Sequence, residues 1–309
     1  MEVNIKQKAI LTMRKLFIAI LAVLGLAACQ TESSELDIEI GDAVVRNVVV
    51  SLDQETRATS DKGFDLTTLA TSDYELRYIL EVYLDGNSSS QTTVYSTSAT
   101  TQIPVMLVPG RNYRIVVWAD LVEKVADRDL TQNYDRYYTT TNGLTAIEIK
   151  DLNGWKAMDE TRDAYAGYQD VIGYGAESDI TVKLSRPFAK LRAVATDIDE
   201  CIDSGKTPTT VEVSYDSVPT KYNVYDSTAT EFKAKSHTIT LDTAVYDDVS
   251  GEKTLLADYI FANVSGQELD FSIEIKDELD ATIKNHQLLD VLIEKKRLTT
   301  IKGTLLGGN

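Results

Sequence analysis

Apolar and polar positions alternate along most of this chain, and the cleanest case is Tyr74 to Leu84. There Tyr74, Leu76, Tyr78, Leu80, Val82 and Leu84 share one side while Glu75, Arg77 and Glu81 take the other, the two-residue period of a half-buried strand. Val44 to Leu52, with Val48, Val50 and Leu52 in phase, predicts the first strand. Thr92 to Ser98 has little apolar content beyond Val94 and reads as an edge strand. Ile103–Val108 and Tyr113–Ala119 flank Pro109-Gly110-Arg111-Asn112, which predicts a β-hairpin. Trp118 lies out of phase with Ile115 and Val117 and is expected to face a second apolar layer.

Ile147 and Ile149 mark a further strand, the stretch from Trp155 to Tyr168 a short helix or irregular excursion, and Ile180 to Leu184 a strand broken at Arg186-Pro187. Phe188 opens the next strand, and alternation returns at residues 211–215, 237–241, 259–262, 269–275, 289–293 and 298–306. Short strands with few helical periods between them predict an all-β chain of antiparallel sandwiches, with a domain boundary between residues 186 and 187.

One segment breaks this texture. Arg14 and Lys15 precede the uncharged run Leu16 to Leu26, which is followed by Ala27-Ala28-Cys29. The run is too short to span a bilayer and has the layout of an export signal, with Met13 rather than Met1 as its expected start. The ending Leu26-Ala27-Ala28-Cys29 resembles a bacterial lipobox, which implies lipid on Cys29 and loss of residues 1–28. Polar residues 30 to 35 then read as a tether.

The 309-residue chain carries a formal net charge of −17. Removing residues 1–28 takes away four basic and one acidic residue, leaving −20. That charge excludes the basic face that nucleic acid requires, and it leaves acyl chains as the source of membrane attachment. Only Cys29 and Cys201 exist, so a lipidated Cys29 rules out an intramolecular disulfide.

The inventory for catalysis is thin. His237 and His286 lack metal-ligand spacing, and nucleophile-elbow or phosphate-loop motifs are missing from the sequence. The acidic run Asp197-Ile198-Asp199-Glu200 with Asp203 reads as a solvated loop in so acidic a chain. The reading is a non-enzyme without cofactor or metal. Trp155 and the tyrosines at 134, 137, 138, 165, 168 and 174 suggest an alternative, a glycan-binding surface lipoprotein of a polysaccharide-uptake system, if they form an exposed platform.

Thr181 to Leu191, Glu160-Thr161-Arg162-Asp163-Ala164-Tyr165, the Val117-Trp118-Ala119-Asp120 ending of its strand and Leu298 to Leu306 together resemble the Bacteroidales fimbrillin-like lipoproteins, the subunits and relatives of type V pili. The resemblance implies two tandem antiparallel Greek-key, transthyretin-like β-sandwich domains: a signal peptide at 1–28, a lipid tether at 29–42, an N-terminal sandwich at 43–186 and a C-terminal sandwich at 187–309. It implies attachment to the outer membrane through lipid at Cys29, with the folded part at the cell surface. It also implies strand exchange with other pilus subunits, opened in polymerising members by arginine-specific cleavage after the first strand. Arg57 is the best-placed residue for such a cut and Arg46 the less suitable one. Because the sequence has only three residues after Leu306, the resemblance favours an accessory or anchor-type fimbrial component in adhesion that keeps its lipid.

Overall fold

The computed structural model describes residues 42–53, 64–130, 132–150, 155–175, 179–241 and 249–307. Its strands follow one plan twice. In the first set β1 (Val44–Leu52) is the middle strand of a three-stranded sheet, and β2 (Tyr74–Leu84) and β3 (Asn87–Ser96) form a hairpin. Then β4 (Thr100–Leu107) returns beside β1 and β5 (Tyr113–Glu123) crosses to pair with β2. The short strands β6 (Tyr138–Thr139) and β7 (Ile147–Ile149) come before β8 (Ala164–Val171), which pairs with β5. Finally β9 (Ile180–Leu184) runs parallel to β1. The sheet orders are β4-β1-β9 and β3-β2-β5-β8.

The second set repeats this order with β10 (Phe188–Ala195), β11 (Pro208–Asn223), β12 (Thr228–Thr240), β13 (Lys253–Phe261), β14 (Gln267–Asp277), β15 (Thr282–Ile293) and β16 (Leu298–Gly303). Here β10 is the middle of β13-β10-β16, with β16 parallel to it. In the larger sheet β12, β14 and β7 all pair with β11, and β15 pairs with β14. The division proposed between residues 186 and 187 falls between β9 and β10. A six-residue helix, α1 (Ile198–Asp203), follows β10.

The all-β reading agrees with this architecture, and β1, β2 and β9 have the bounds that alternation gives them. Among the described residues pairing is antiparallel except for β1 with β9 and β10 with β16, because the last strand of each set crosses from the larger sheet and arrives in the direction of the first.

The expected hairpin around Pro109-Gly110 does not form. β4 pairs with β1 while β5 lies between β2 and β8 in the other sheet. The turn is instead a crossing between sheets, with Gly110 at φ +80° and its N–H on the carbonyl of Tyr174 at 2.8 Å. The Tyr113 hydroxyl closes it by accepting from the Val108 N–H at 2.7 Å. Alternation misled here because both strands turn apolar residues to the same core, as hairpin partners and opposed strands both do.

Three buried clusters hold the chain. One lies between the sheets of the first set, including Val48, Val50, Leu80, Ile103, Ile115 and Val182. A second lies between those of the second set, including Leu191, Val213, Leu255, Phe271 and Ile293. The third joins Ile79, Val116 and Trp118 from the first set to Phe188, Tyr222 and Phe261 from the second. Trp118 is fully buried there, edge-on to Tyr138 with ring centroids 5.2 Å apart, as its phase predicts.

Asp197 corrects the solvated-loop reading. It is buried, and its carboxylate accepts from the backbone N–H groups of Leu305, Leu306 and Gly307 at 2.6 to 3.2 Å. The carboxylate thereby satisfies donors that the end of β16 leaves unpaired, and it seats Leu305 and Leu306 in the second core.

Candidate functional site: the first strand and the groove it fills

β1 forms because Val44, Val45, Val48, Val49 and Val50 are β-branched and because every second residue from Val48 on has a core to enter. Val48, Val50 and Leu52 are buried, and the residues between them are half-exposed. On one side β1 pairs antiparallel with β4, from Val44 opposite Leu107 to Ser51 opposite Thr100. On the other it pairs parallel with β9, from Val48 beside Ile180 to Leu52 beside Leu184. Two bonds close its end, Leu52 N–H to Ala99 O at 3.0 Å and Asp53 N–H to Leu184 O at 2.7 Å.

A middle strand contributed by the first of the described segments makes a particular kind of site. Without β1 the facing edges of β4 and β9 would stand about 10 Å apart, two inter-strand spacings, with backbone donors and acceptors unpaired and an apolar floor exposed. Such a groove accepts an extended, valine-rich segment and little else. β10 has the same place in its sheet but follows β9 after only Ser185, Arg186 and Pro187, and Arg186 Nε donates to Asp163 Oδ1 at 2.7 Å.

Of the residues singled out from the sequence, Cys29 and Arg57 lie outside the described residues. Arg46 lies within β1 opposite Val105, and its Nε donates to the Tyr174 hydroxyl at 3.1 Å. A bond in a strand paired on its flank is closed to a protease that must straighten and grip its substrate.

The aromatic platform is not there. Tyr137, Tyr138, Tyr165 and Tyr174 are buried, Tyr134 is half-buried, and Tyr168, exposed, lies against the Arg114 guanidinium, 4.4 Å from its ring centroid, so the rings do not share one exposed surface. Trp155 packs against the second and third cores, and its Nε1 donates to Asp258 Oδ2 at 2.9 Å. Asp258 also accepts from Arg162 Nη1 at 2.6 Å and from the Tyr215 hydroxyl at 3.0 Å. Burial, reinforced by Asp258, pushes the Tyr215 hydroxyl well above the usual tyrosine range.

This saturated, inaccessible carboxylate is not the pair of facing acids that glycoside hydrolysis requires. Among the described residues His, Cys, Asp and Glu form no group of three that would hold a metal ion. Sequence reasoning gave Arg162 no role of its own, although it stands in the quoted Glu160–Tyr165 stretch; flanked by Glu160, Thr161 and Asp163, it carries no local signal of burial.

A family model described as a family of unknown function (DUF6562) matches residues 35–309. No curated protein matches the chain. Among solved structures, the chain is similar to a fimbrial assembly protein from Parabacteroides distasonis at 12% identity, covering 84% of this chain and 92% of that one with a TM-score of 0.45. It is also similar to the fimbrial anchor protein Mfa2 from Porphyromonas gingivalis at 13% identity, covering 80% and 83% of the two chains with a TM-score of 0.43.

Proposed function

We infer that this chain, which belongs to the DUF6562 family, is a non-enzymatic surface lipoprotein that serves as an accessory or anchor-type fimbrial component in adhesion. The observation that carries the reading is the position of β1. The strand that completes the first small sheet begins 15 residues after Cys29 in the sequence (44 − 29), so a lipid on that cysteine and the sandwich would share one stretch of chain.

Tension between a lipid at Cys29 and a load on the folded part would act along β1, shearing two backbone ladders at once rather than peeling one. That geometry suits a component that must hold. Cleavage at Arg57 would give the opposite outcome, because it severs β1 from everything after it and offers the groove to a neighbour's strand.

The N-terminal mass of the native protein tests this, measured in outer-membrane and sheared-pilus fractions. A diacylated Cys29 terminus confined to the membrane is expected, and Cys29→Ala should release the protein from that fraction. An Ala58 terminus in the sheared fraction would replace the anchor reading with that of a polymerising subunit.

A further inference from the structure

In a chain with 48 acidic and 31 basic residues, cations should find carboxylates easily, and the buried and half-buried arginines of the first set mostly do. Arg77, Arg114, Arg128, Arg162 and Arg186 each hold a carboxylate oxygen at 2.5 to 2.7 Å. Arg136 does not. Its nearest carboxylate among the described residues is Glu123, 4.0 Å from Nε and 72% exposed.

The Arg136 guanidinium lies between the rings of Tyr74 and Tyr137, 4.4 and 4.5 Å from their centroids. Nη2 reaches the Tyr74 hydroxyl at 3.2 Å, and Nη1, fully buried, has no hydrogen-bond partner among the described residues. About a fifth of the side-chain surface stays exposed, and that part is what a ligand in the adjoining pocket can reach.

Arg136 lines a pocket of about 410 Å³ together with Glu123, Asp135, Tyr137, Lys150 and Lys156. Asp135 is already spent on Arg77 and on the N–H and hydroxyl of Thr140. The Lys150 ammonium donates to the carbonyl of Asp135 at 2.8 Å, and the Lys156 ammonium has neither ion pair nor hydrogen bond among the described residues. Lys156 is held in place through its carbonyl, which accepts from Arg162 Nη1 at 2.9 Å.

We propose that this pocket binds a carboxylate-bearing saccharide, with Arg136 and Lys156 taking the carboxylate. Three cations meet there, none with a carboxylate nearer than 4.0 Å among the described residues, and planar guanidinium recognition of an anion is the strongest polar contact available to the site. The wall is polar apart from Val125 and the tyrosine rings, which selects a hydroxylated acid over an apolar one, and Glu123 offers an acceptor for ring hydroxyls. The volume falls within the range of ordinary ligand sites. The inference rests on the pocket alone and does not depend on lipidation or strand exchange.

Calorimetric titration of the full folded chain with 3′-sialyllactose, lactose and acetate tests it. Sialyllactose should bind, lactose and acetate should bind at least tenfold more weakly, and both Lys156→Glu and Arg136→Gln should weaken sialyllactose about tenfold or more. Lys156 is exposed, so its variant keeps the test open if Arg136→Gln unfolds the protein. Equal binding of lactose, equal binding of acetate, no binding of sialyllactose, or unchanged affinity in Lys156→Glu would each overturn the proposal.

Discussion

Arg162 Nη1 lies 2.6 Å from Asp258 Oδ1, and both side chains are completely buried. The pair links the turn before β8 to β13, which stand 96 residues apart. Arg162 also donates to the carbonyls of Lys156 and Tyr259, so the guanidinium fastens three pieces of backbone at once.

Removing one partner of such a pair leaves an uncompensated charge in the interior. Arg162→Ala and Asp258→Ala should each cost about 3–5 kcal/mol, read as a lowered urea midpoint. A double Arg162→Met, Asp258→Leu variant should recover much of that loss, because no charge is then left buried. If the two single losses added in full in the double variant, the pair would not be acting as one unit.

His237 predicts an acid-sensitive component of stability. Its ring stacks on Tyr215 with centroids 6.0 Å apart, neither ring nitrogen has a hydrogen-bond partner among the described residues, and Asp258 Oδ2 is 4.0 Å away. Burial lowers its pKa from the ordinary 6.5, with nearby Arg162 acting in the same sense and Asp258 opposing. Between the lowered folded value and 6.5 the unfolded chain binds the proton that the folded one refuses. Stability therefore rises with pH across that window and falls as the solution is acidified below about 6.5. The Tm of wild type should drop more steeply between pH 7 and pH 5 than that of His237→Leu. Parallel curves would assign the acid response to other groups.

Gly167 marks where β8 and β9 close on one another. A Cβ at this position would sit 2.5 Å from the carbonyl oxygen of Lys183 and 3.1 Å from Leu184 Cδ2, and the first of these is backbone that cannot swing aside. Beside it Ala166 and Ser185 exchange both backbone bonds, at 2.8 and 3.0 Å. Gly167→Ala should therefore destabilise by about 1–3 kcal/mol, the range for overpacking, seen as a Tm several degrees lower. An unchanged Tm would mean that the corner between the two strands yields.

The strands were legible where apolar residues fall at every second position, as in β1, β2 and β9. The half-buried reading of β2 was wrong: its other side is buried too, Arg77 and Glu81 lying inside with Ile79 and Tyr83 because a second cluster covers that side. Alternation states which side of a strand faces inward and is silent on which strand lies next to it. That silence is why Pro109-Gly110 read as a hairpin when it crosses between sheets. It is also why Asp197 read as one acid among several: its partners are backbone N–H groups more than a hundred residues away, which leave no trace in local composition. Trp118 was read correctly from phase alone, whereas the fit of Arg136 between Tyr74 and Tyr137 depends on β2 and the loop before β6, which no local pattern connects.

β1 gives the last prediction, and magnitudes decide it. Burying one valine or leucine side chain contributes about 1.5–3 kcal/mol, so Val48, Val50 and Leu52 together contribute about 5–9 kcal/mol. That is comparable with the whole stability of an ordinary domain, before counting the ladders to β4 and β9. A chain beginning at Asp42 should therefore melt like the mature protein, since the residues removed precede the strand. A chain beginning at Ala58 should lose the cooperative melting of the first set, and a synthetic Val44–Leu52 peptide should restore it at concentrations above its Kd. Calorimetry separates the alternatives. Recovery by that peptide and not by a scrambled one would establish the groove between β4 and β9 as a strand-accepting site. An undiminished transition in the chain beginning at Ala58 would mean that the first set closes without its middle strand, and that the anchor and the fold are independent.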